Sequence, residues 1–217
     1  MITLTSFSDK DEILKDINLQ LENGYGRFKN GNYLVSITCP FFKATPDMIK
    51  WWFWHYPQNE KLFKSLDSSN LSVCPSKGSA EYFAQSDYAD FRPYSVLQTQ
   101  TALGKKICVR LDFTDETQFG FNKSLMPEND ISLAVCALVK TKRGHFTLGK
   151  ASLVFRSERE GLFMVGRLWL GEGLKNPVAR KLILKESVAQ TLLRIFERRC
   201  RALAEILPGL YLKHNSK

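Results

Sequence analysis

Histidine is scarce in this chain, with three in 217 residues, His55, His145 and His214. No H-x-x-x-H or H-E-x-x-H spacing occurs, which excludes a histidine-bearing metal helix of that type. Nucleophile and phosphate signatures are missing as well: the chain has no G-x-S-x-G, no P-loop and no G-x-G-x-x-G. No run of about 18 apolar residues exists, so a helical membrane span is excluded. The opening residues Met1 to Asp11 lack the basic start and apolar stretch of a signal peptide, and a cytoplasmic protein is expected. The five cysteines (Cys39, Cys74, Cys108, Cys136, Cys200) are an odd number without a C-x-x-C, and they read as reduced, mostly buried thiols. There is no internal repeat and no low-complexity tract.

What the chain does have is tryptophan in one place. Three of its four tryptophans lie in Pro46-Asp47-Met48-Ile49-Lys50-Trp51-Trp52-Phe53-Trp54-His55-Tyr56. Thr45 suits the N-cap, Pro46 the first helical position, and Asp47 the positive end of the helix dipole. A helix apolar on every side must be covered on every side, by core, partner or ligand. The segment is therefore the first place to look for a cavity wall.

The formal charge is +9, and the excess gathers toward the C-terminus at Lys175, Arg180, Lys181, Lys185, Arg194, Arg198, Arg199 and Arg201. That charge suits either an anionic surface or the solvated side of an amphipathic helix. With no RNA- or DNA-binding motif beside it, nucleic acid is not expected as a partner.

Along the chain, a single domain over 1–217 is expected. Residues 1–30 read as an N-terminal helical segment, with a short helix over 9–22 that stops at the Asn23-Gly24 turn signal. Tyr33 to Cys39 is β-rich. The aromatic helix occupies 46–56 and Pro57 stops it. Residues 64–95 mix Ser, Asn, Pro and Gly with Tyr82, Phe83, Tyr88, Phe91 and Tyr94, and read as a lid or irregular region with a short helix near 79–85.

From 95 to 170 the period becomes two. Ile107, Val109, Leu111 and Phe113 alternate with Cys108, Arg110 and Asp112, and Ile131 to Val139 repeat the pattern. Arg143-Gly144 marks a hairpin into His145–Phe155, and Leu162–Leu170 follows Gly161. Leu184, Val188, Leu192, Ile195, Leu203 and Ile206 then recur at helical spacing over 177–207, with Pro208-Gly209 as the stop. The plan is α+β: a curved antiparallel sheet wrapped around a long C-terminal helix, with space between them.

Three blocks resemble the diacetylphloroglucinol hydrolase family, which cleaves a carbon–carbon bond in an acylated phenol. They are Glu22-Asn23-Gly24-Tyr25 through Thr45 to His55; Gly104 to Phe113 with Phe119-Gly120-Phe121-Asn122 and Arg167-Leu168-Trp169-Leu170-Gly171; and Leu203 to Tyr211. The resemblance implies a helix-grip fold of the Bet v 1-like (START-like) kind, and a zinc ion held by histidine and glutamate inside the cavity. Against that pattern, Phe63 to Leu71 carries no histidine where the family has W-H-P-x-x-H. Thr101-Ala102-Leu103-Gly104 stands for the family's E-Y-x-G block, Phe155 falls near a ligand histidine, and Ile195 or Arg199 falls near the helix ligand.

The expectation is therefore a hydrolase-like protein whose aromatic pocket binds a small aromatic, phenolic or polyketide-like molecule, without metal or other cofactor if catalytic. Trp51, Trp52, Trp54, Tyr56, Phe63, Phe155 and Trp169 are its candidate ligand-binding residues, and His55 and Arg167 its candidate catalytic ones. A zinc enzyme with relocated ligands such as His55, His145 and Glu81 is the alternative, as is a basic interaction protein. A homodimer is left open.

Overall fold

A computed structural model of the chain describes residues 4–15, 21–84 and 93–215. Eight strands form one antiparallel sheet: β1 (Gly24–Arg27), β2 (Tyr33–Phe42), β3 (Asn70–Pro75), β4 (Ser95–Ala102), β5 (Lys105–Thr114), β6 (Ile131–Thr141), β7 (Thr147–Glu158) and β8 (Gly161–Leu170). Their spatial order is β1-β2-β8-β7-β6-β5-β4-β3. Helices α1 (Pro46–His55) and α2 (Glu60–Leu66) connect β2 to β3, and α3 (Ala80–Phe83) follows β3. Helices α4 (Glu116–Phe119) and α5 (Leu125–Glu128) lie between β5 and β6, while α6 (Pro177–Ile183) and the long α7 (Glu186–Asn215) close the chain. This is the helix-grip plan, a curved antiparallel sheet holding a long C-terminal helix.

The period-two pattern decides which face each strand residue takes. Phe113, Leu133, Val135 and Ala137 share one core with Phe155 and Met164, together with Trp51, Trp52 and Phe63 of α1 and α2 and Cys200, Leu203 and Leu207 of α7. The opposite face is covered too. Leu34, Cys136, Val154, Val165 and Trp169 pack there with Ile13 and Leu14 of a 3-10 turn, and with Phe119, Phe121 and Met126 of the α4–α5 region. A sheet covered on both sides explains why β2 is buried continuously from Tyr33 to Ile37, rather than at alternate positions.

Two glycines fix positions that the site depends on. Gly144, with φ of +79°, lets the β6–β7 chain reverse through an amide bonded to the Thr141 carbonyl. Gly166 lies under α7, where a β-carbon would come within 2.9 Å of the Phe196 ring. The bare backbone there lets that ring close down on β8.

Several elements depart from expectation. The N-terminal segment holds a 3-10 turn over Lys10–Leu14, then strand β1 from Gly24, where a turn was expected. Residues 16–20 of the expected 9–22 helix lie outside the described residues. The 64–95 region contains β3 as well as α3, because Asn70–Pro75 pairs along β4; Tyr88 and Phe91 lie outside the described residues. The C-terminal helical stretch breaks between Ile183 and Glu186, and α7 continues through Pro208 to Asn215. Packing holds that last stretch: Leu207 is fully buried and the Tyr211 ring meets the Trp51 ring edge-on at 5.6 Å. Tertiary contact there outweighs the amide hydrogen bond lost at proline.

Candidate functional site: a two-compartment cavity between sheet and helix

Helix α1 starts as its sequence dictates. The Thr45 hydroxyl accepts from the Met48 amide at 3.4 Å, Pro46 leads the first turn, and Asp47 sits beside it. Ile49, Trp51, Trp52 and Phe53 are buried, while Trp54 and His55 are half-buried. The helix does not end in a sharp stop at Tyr56: a 3-10 turn over Tyr56–Gln58 carries Tyr56 back toward the sheet. There the Tyr56 ring stacks on Trp52 at 5.5 Å and its hydroxyl oxygen accepts from Gln98 Nε2 at 2.8 Å.

The concave side of the sheet and α7 enclose two adjoining compartments. The larger, of about 420 Å³, lies under the first half of α7 and is walled by Ile107, Val109 and Leu111 of β5, Leu168 and Leu170 of β8, and Val188, Leu192 and Ile195 of α7. The smaller, of about 180 Å³, lies under α1 and α2 and is walled by Trp52, Phe53, Tyr56, Phe63, Phe113, Val135 and Leu203. Gln98, Leu111, Ala151, Phe196 and Arg199 border both, so the two share a partition with Gln98 and Arg199 as its polar part. The alternation of β4 puts Gln98 and Gln100 on the cavity side with Val96 and Ala102.

Arg199 is the cation of this cavity. Its Nη2 donates to Asn70 Oδ1 and, at 2.5 Å, to Gln100 Oε1. Its guanidinium lies 5.3 Å from the Phe63 ring centroid. Burial lowers its pKa to about 10, which leaves it charged at neutral pH. The nearby carboxylate, Asp67, is engaged elsewhere: it accepts from Arg198 Nε at 2.5 Å and from the Ser69 amide at 2.7 Å. Asn70 is itself pinned, its Nδ2 donating to the Phe63 carbonyl at 2.6 Å. Burial pushes the Tyr56 phenol and the Cys200 thiol far above their usual ranges, so both stay protonated.

The expected site residues separate into four groups. Trp52, Tyr56 and Phe63 line the smaller compartment. Trp51, Trp54 and His55 form a different cluster at the end of α7, where His55 stacks on Trp51 at 4.8 Å and lies 4.9 Å from the His214 ring. Burial and His214 together lower the His55 pKa. Phe155 is fully buried in the concave-side core, edge-on to Phe41 at 5.6 Å, and lines neither compartment.

Arg167 and Trp169 are on the other face of the sheet. The Trp169 indole donates to the Thr5 carbonyl at 2.9 Å. Arg167 is wholly inaccessible, donates from Nη1 to the Gly166 carbonyl at 3.0 Å, and is paired in register with Ser36 and Ser152. The alternation is the reason: Met164, Leu168 and Leu170 point into the fold's concave side, which sends 165, 167 and 169 outward. Arg167 is thus buried without lining the cavity.

Sequence reasoning overlooked Gln98 and Phe196, and named Arg199 only as a position near the family's helix ligand, without giving it a role in the cavity. Arg199 carried a legible signal, because it stands midway between Ile195 and Leu203 at helical spacing, inside the apolar stripe. An arginine on a buried stripe calls for a buried partner.

The zinc implied by the resemblance was tested against these donors. Among the described residues, neither compartment is lined by an imidazole or a carboxylate, and no three His, Cys, Asp or Glu side chains come together. His55, His145 and Glu81 stand on α1, in the β6–β7 turn and on α3, and are not gathered. A guanidinium at the centre repels a cation, and the thiol present is held protonated. The described donor set does not fit zinc.

Comparison with solved structures gives distant likenesses. Protein Ms6760 from Mycobacterium smegmatis superposes with a TM-score of 0.48 at 12% identity, over 87% of this chain and 98% of that one. SA2116 from Staphylococcus aureus, a protein of unknown function, gives 0.47 at 10% identity over 88% and 98%. Ara h 8.0201 gives 0.45 at 12% identity over 86% and 99%. No curated protein matches the chain significantly. The profile of the DAPG hydrolase PhiG domain matches residues 4–212, nearly the whole chain, and on that match the protein belongs to the DAPG hydrolase family.

Proposed function

We propose that the protein takes up a small aromatic, phenolic or polyketide-like molecule in the cavity between the sheet and α7, and that any chemistry there proceeds without the family's zinc. The observation that carries this reading is the pair of adjoining apolar compartments, with Gln98 and Arg199 as their polar partition and Tyr56 in the smaller one. Their combined size suits one small ring-bearing ligand, and walls of Trp52, Phe53, Phe63, Phe113 and Phe196 offer flat faces to it.

In this reading Tyr56, Gln98 and Arg199 supply directionality, and the aromatic and aliphatic walls supply affinity. His55, set against Trp51 and His214, is given a structural role at the α1–α7 contact instead of a catalytic one. Family membership supports an acylated phenol as the first compound to try.

The test is a titration of the intrinsic tryptophan emission with diacetylphloroglucinol, in the wild type and in Ala151→Phe. Ala151 borders both compartments, so a phenyl group there fills the partition. Saturable one-to-one binding is expected in the wild type, with a loss of about tenfold or more in the variant. Equal binding by both proteins places the ligand elsewhere and refutes the cavity as its seat.

A further inference from the structure

Arg199 has no direct ion-pair partner among the described residues: Asp67 favours its charge through space but is hydrogen-bonded to Arg198. Of its five N–H groups, the two on Nη2 go to the neutral oxygens of Asn70 and Gln100. Nε is buried and donates to nothing, and Nη1 has no acceptor among the described residues. No carboxylate lies within ion-pair distance of it there, because Asp67 pairs with Arg198. A buried guanidinium held only by amide oxygens is an incomplete arrangement.

Tyr56 supplies a second donor in the smaller compartment. Its oxygen accepts from Gln98 Nε2, which leaves its own hydrogen to donate. Burial keeps that hydrogen in place across the working pH range. Tyr56, Gln98 and Arg199 all border the smaller compartment, and Gln98 and Arg199 also border the larger. Two free donors, one of them charged, thus face the smaller compartment of a mostly apolar cavity.

We infer that the cavity selects amphipathic anions: molecules with an apolar ring-bearing body and one acidic oxygen group, which is seated against Arg199 and the Tyr56 hydroxyl. The body occupies the apolar compartments and the head group supplies the direct ion pair and hydrogen-bond acceptor that Arg199 lacks. This rests on the cavity being the ligand's seat. It adds that a neutral molecule of the same shape binds more weakly, and that the preference belongs to two named side chains. A carboxylate and an ionised acylphenol present the same chemistry to the guanidinium.

Two dyes of nearly identical shape separate the two levels of the claim. The first, 8-anilinonaphthalene-1-sulfonate, is anionic; N-phenyl-1-naphthylamine is the same skeleton without the sulfonate. Both are expected to bind the wild type, with fluorescence enhancement. In Arg199→Met the anionic dye weakens by about tenfold to a hundredfold while the neutral dye changes by less than about threefold. Arg199→Lys, which keeps the charge, recovers part of the loss. Tyr56→Phe weakens the anionic dye alone, by about fivefold.

Retained binding of the neutral dye shows that each variant is folded. If Arg199→Met does not fold, the selective loss in Tyr56→Phe carries the test. Displacement of the sulfonate dye by naphthoate or by diacetylphloroglucinol tells whether a carboxylate or an acylphenol is the better head group, and displacement by neither overturns the proposal. An unchanged ratio of the two affinities in both variants also overturns it, while leaving the cavity reading intact. Failure of both dyes to bind the wild type removes the cavity reading itself.

Discussion

Asp67 is nearly inaccessible, yet it acts on the site through its neighbours. Burial is the largest single influence on its carboxyl and favours the neutral form, but hydrogen bonds from Arg198 and Ser69 outweigh it and hold the pKa below the usual value. A carboxylate with a lowered folded pKa stabilises at neutral pH, and the stabilisation is lost as pH falls through that folded value. Asp67→Asn keeps the shape and removes the charge. Since Arg198 is largely exposed, the expected loss at neutral pH is modest, about 1 kcal/mol by denaturant titration, and it should vanish in strong acid. His55 runs the opposite way. Burial and His214 lower its pKa, so the folded protein resists a proton that the unfolded chain accepts. Stability is then full above the ordinary histidine range and declines as pH falls through it. His55→Phe retains the stack on Trp51 and should flatten the fall in Tm between about pH 7 and pH 5. Parallel slopes in the two proteins would contradict this.

The strands and helices differ in how openly the sequence declares them. Ile107 to Phe113 and Leu133 to Val139 alternate plainly, and the chain folds them with those residues on the concave side. Strands β1 and β3 were harder to read. Gly24–Arg27 has little side-chain pattern and exists through its pairing with β2, while Asn70–Pro75 hides its alternation among Ser and Pro. The cavity was legible in outline from the aromatic helix, yet the specific tryptophans were not. At 3.6 residues per turn, Trp51 and Trp52 point about 100° apart, so Trp52 reaches the cavity while Trp51 meets Tyr211 and His214. Arg167 misled because an arginine in an apolar strand signals burial without saying on which face. Pro208 misled because a stop signal is a local preference, and α7 is held by Leu207 and Tyr211 against α1. Removing that strain has a measurable consequence. Pro208→Ala restores an amide donor inside α7 and should raise stability by about 1 kcal/mol or more. A lowered Tm would show that the proline ring itself packs productively.

At the scale of the whole molecule, the chain has the helix-grip frame, with Arg199 and Gln98 between its two compartments. Both faces of the sheet are covered, one by the N-terminal segment with α4 and α5, the other by α1, α2 and α7 around the two compartments. No described helix is long and apolar enough to cross a membrane. Where a zinc enzyme of this plan needs imidazoles and carboxylates, the described cavity offers a guanidinium, amides and a phenol. In the proposed reading, that guanidinium would hold an oxyanion, and any chemistry would proceed without metal activation of water. The direct test is the affinity for diacetylphloroglucinol measured twice, once in excess chelator and once in excess zinc, with the products of each mixture analysed. A metal-independent pocket gives the same dissociation constant within about twofold, and no zinc-dependent carbon–carbon cleavage. A tightening of about tenfold on adding zinc, or cleavage that appears only with it, would contradict the assignment of this cavity to Arg199, Gln98 and Tyr56.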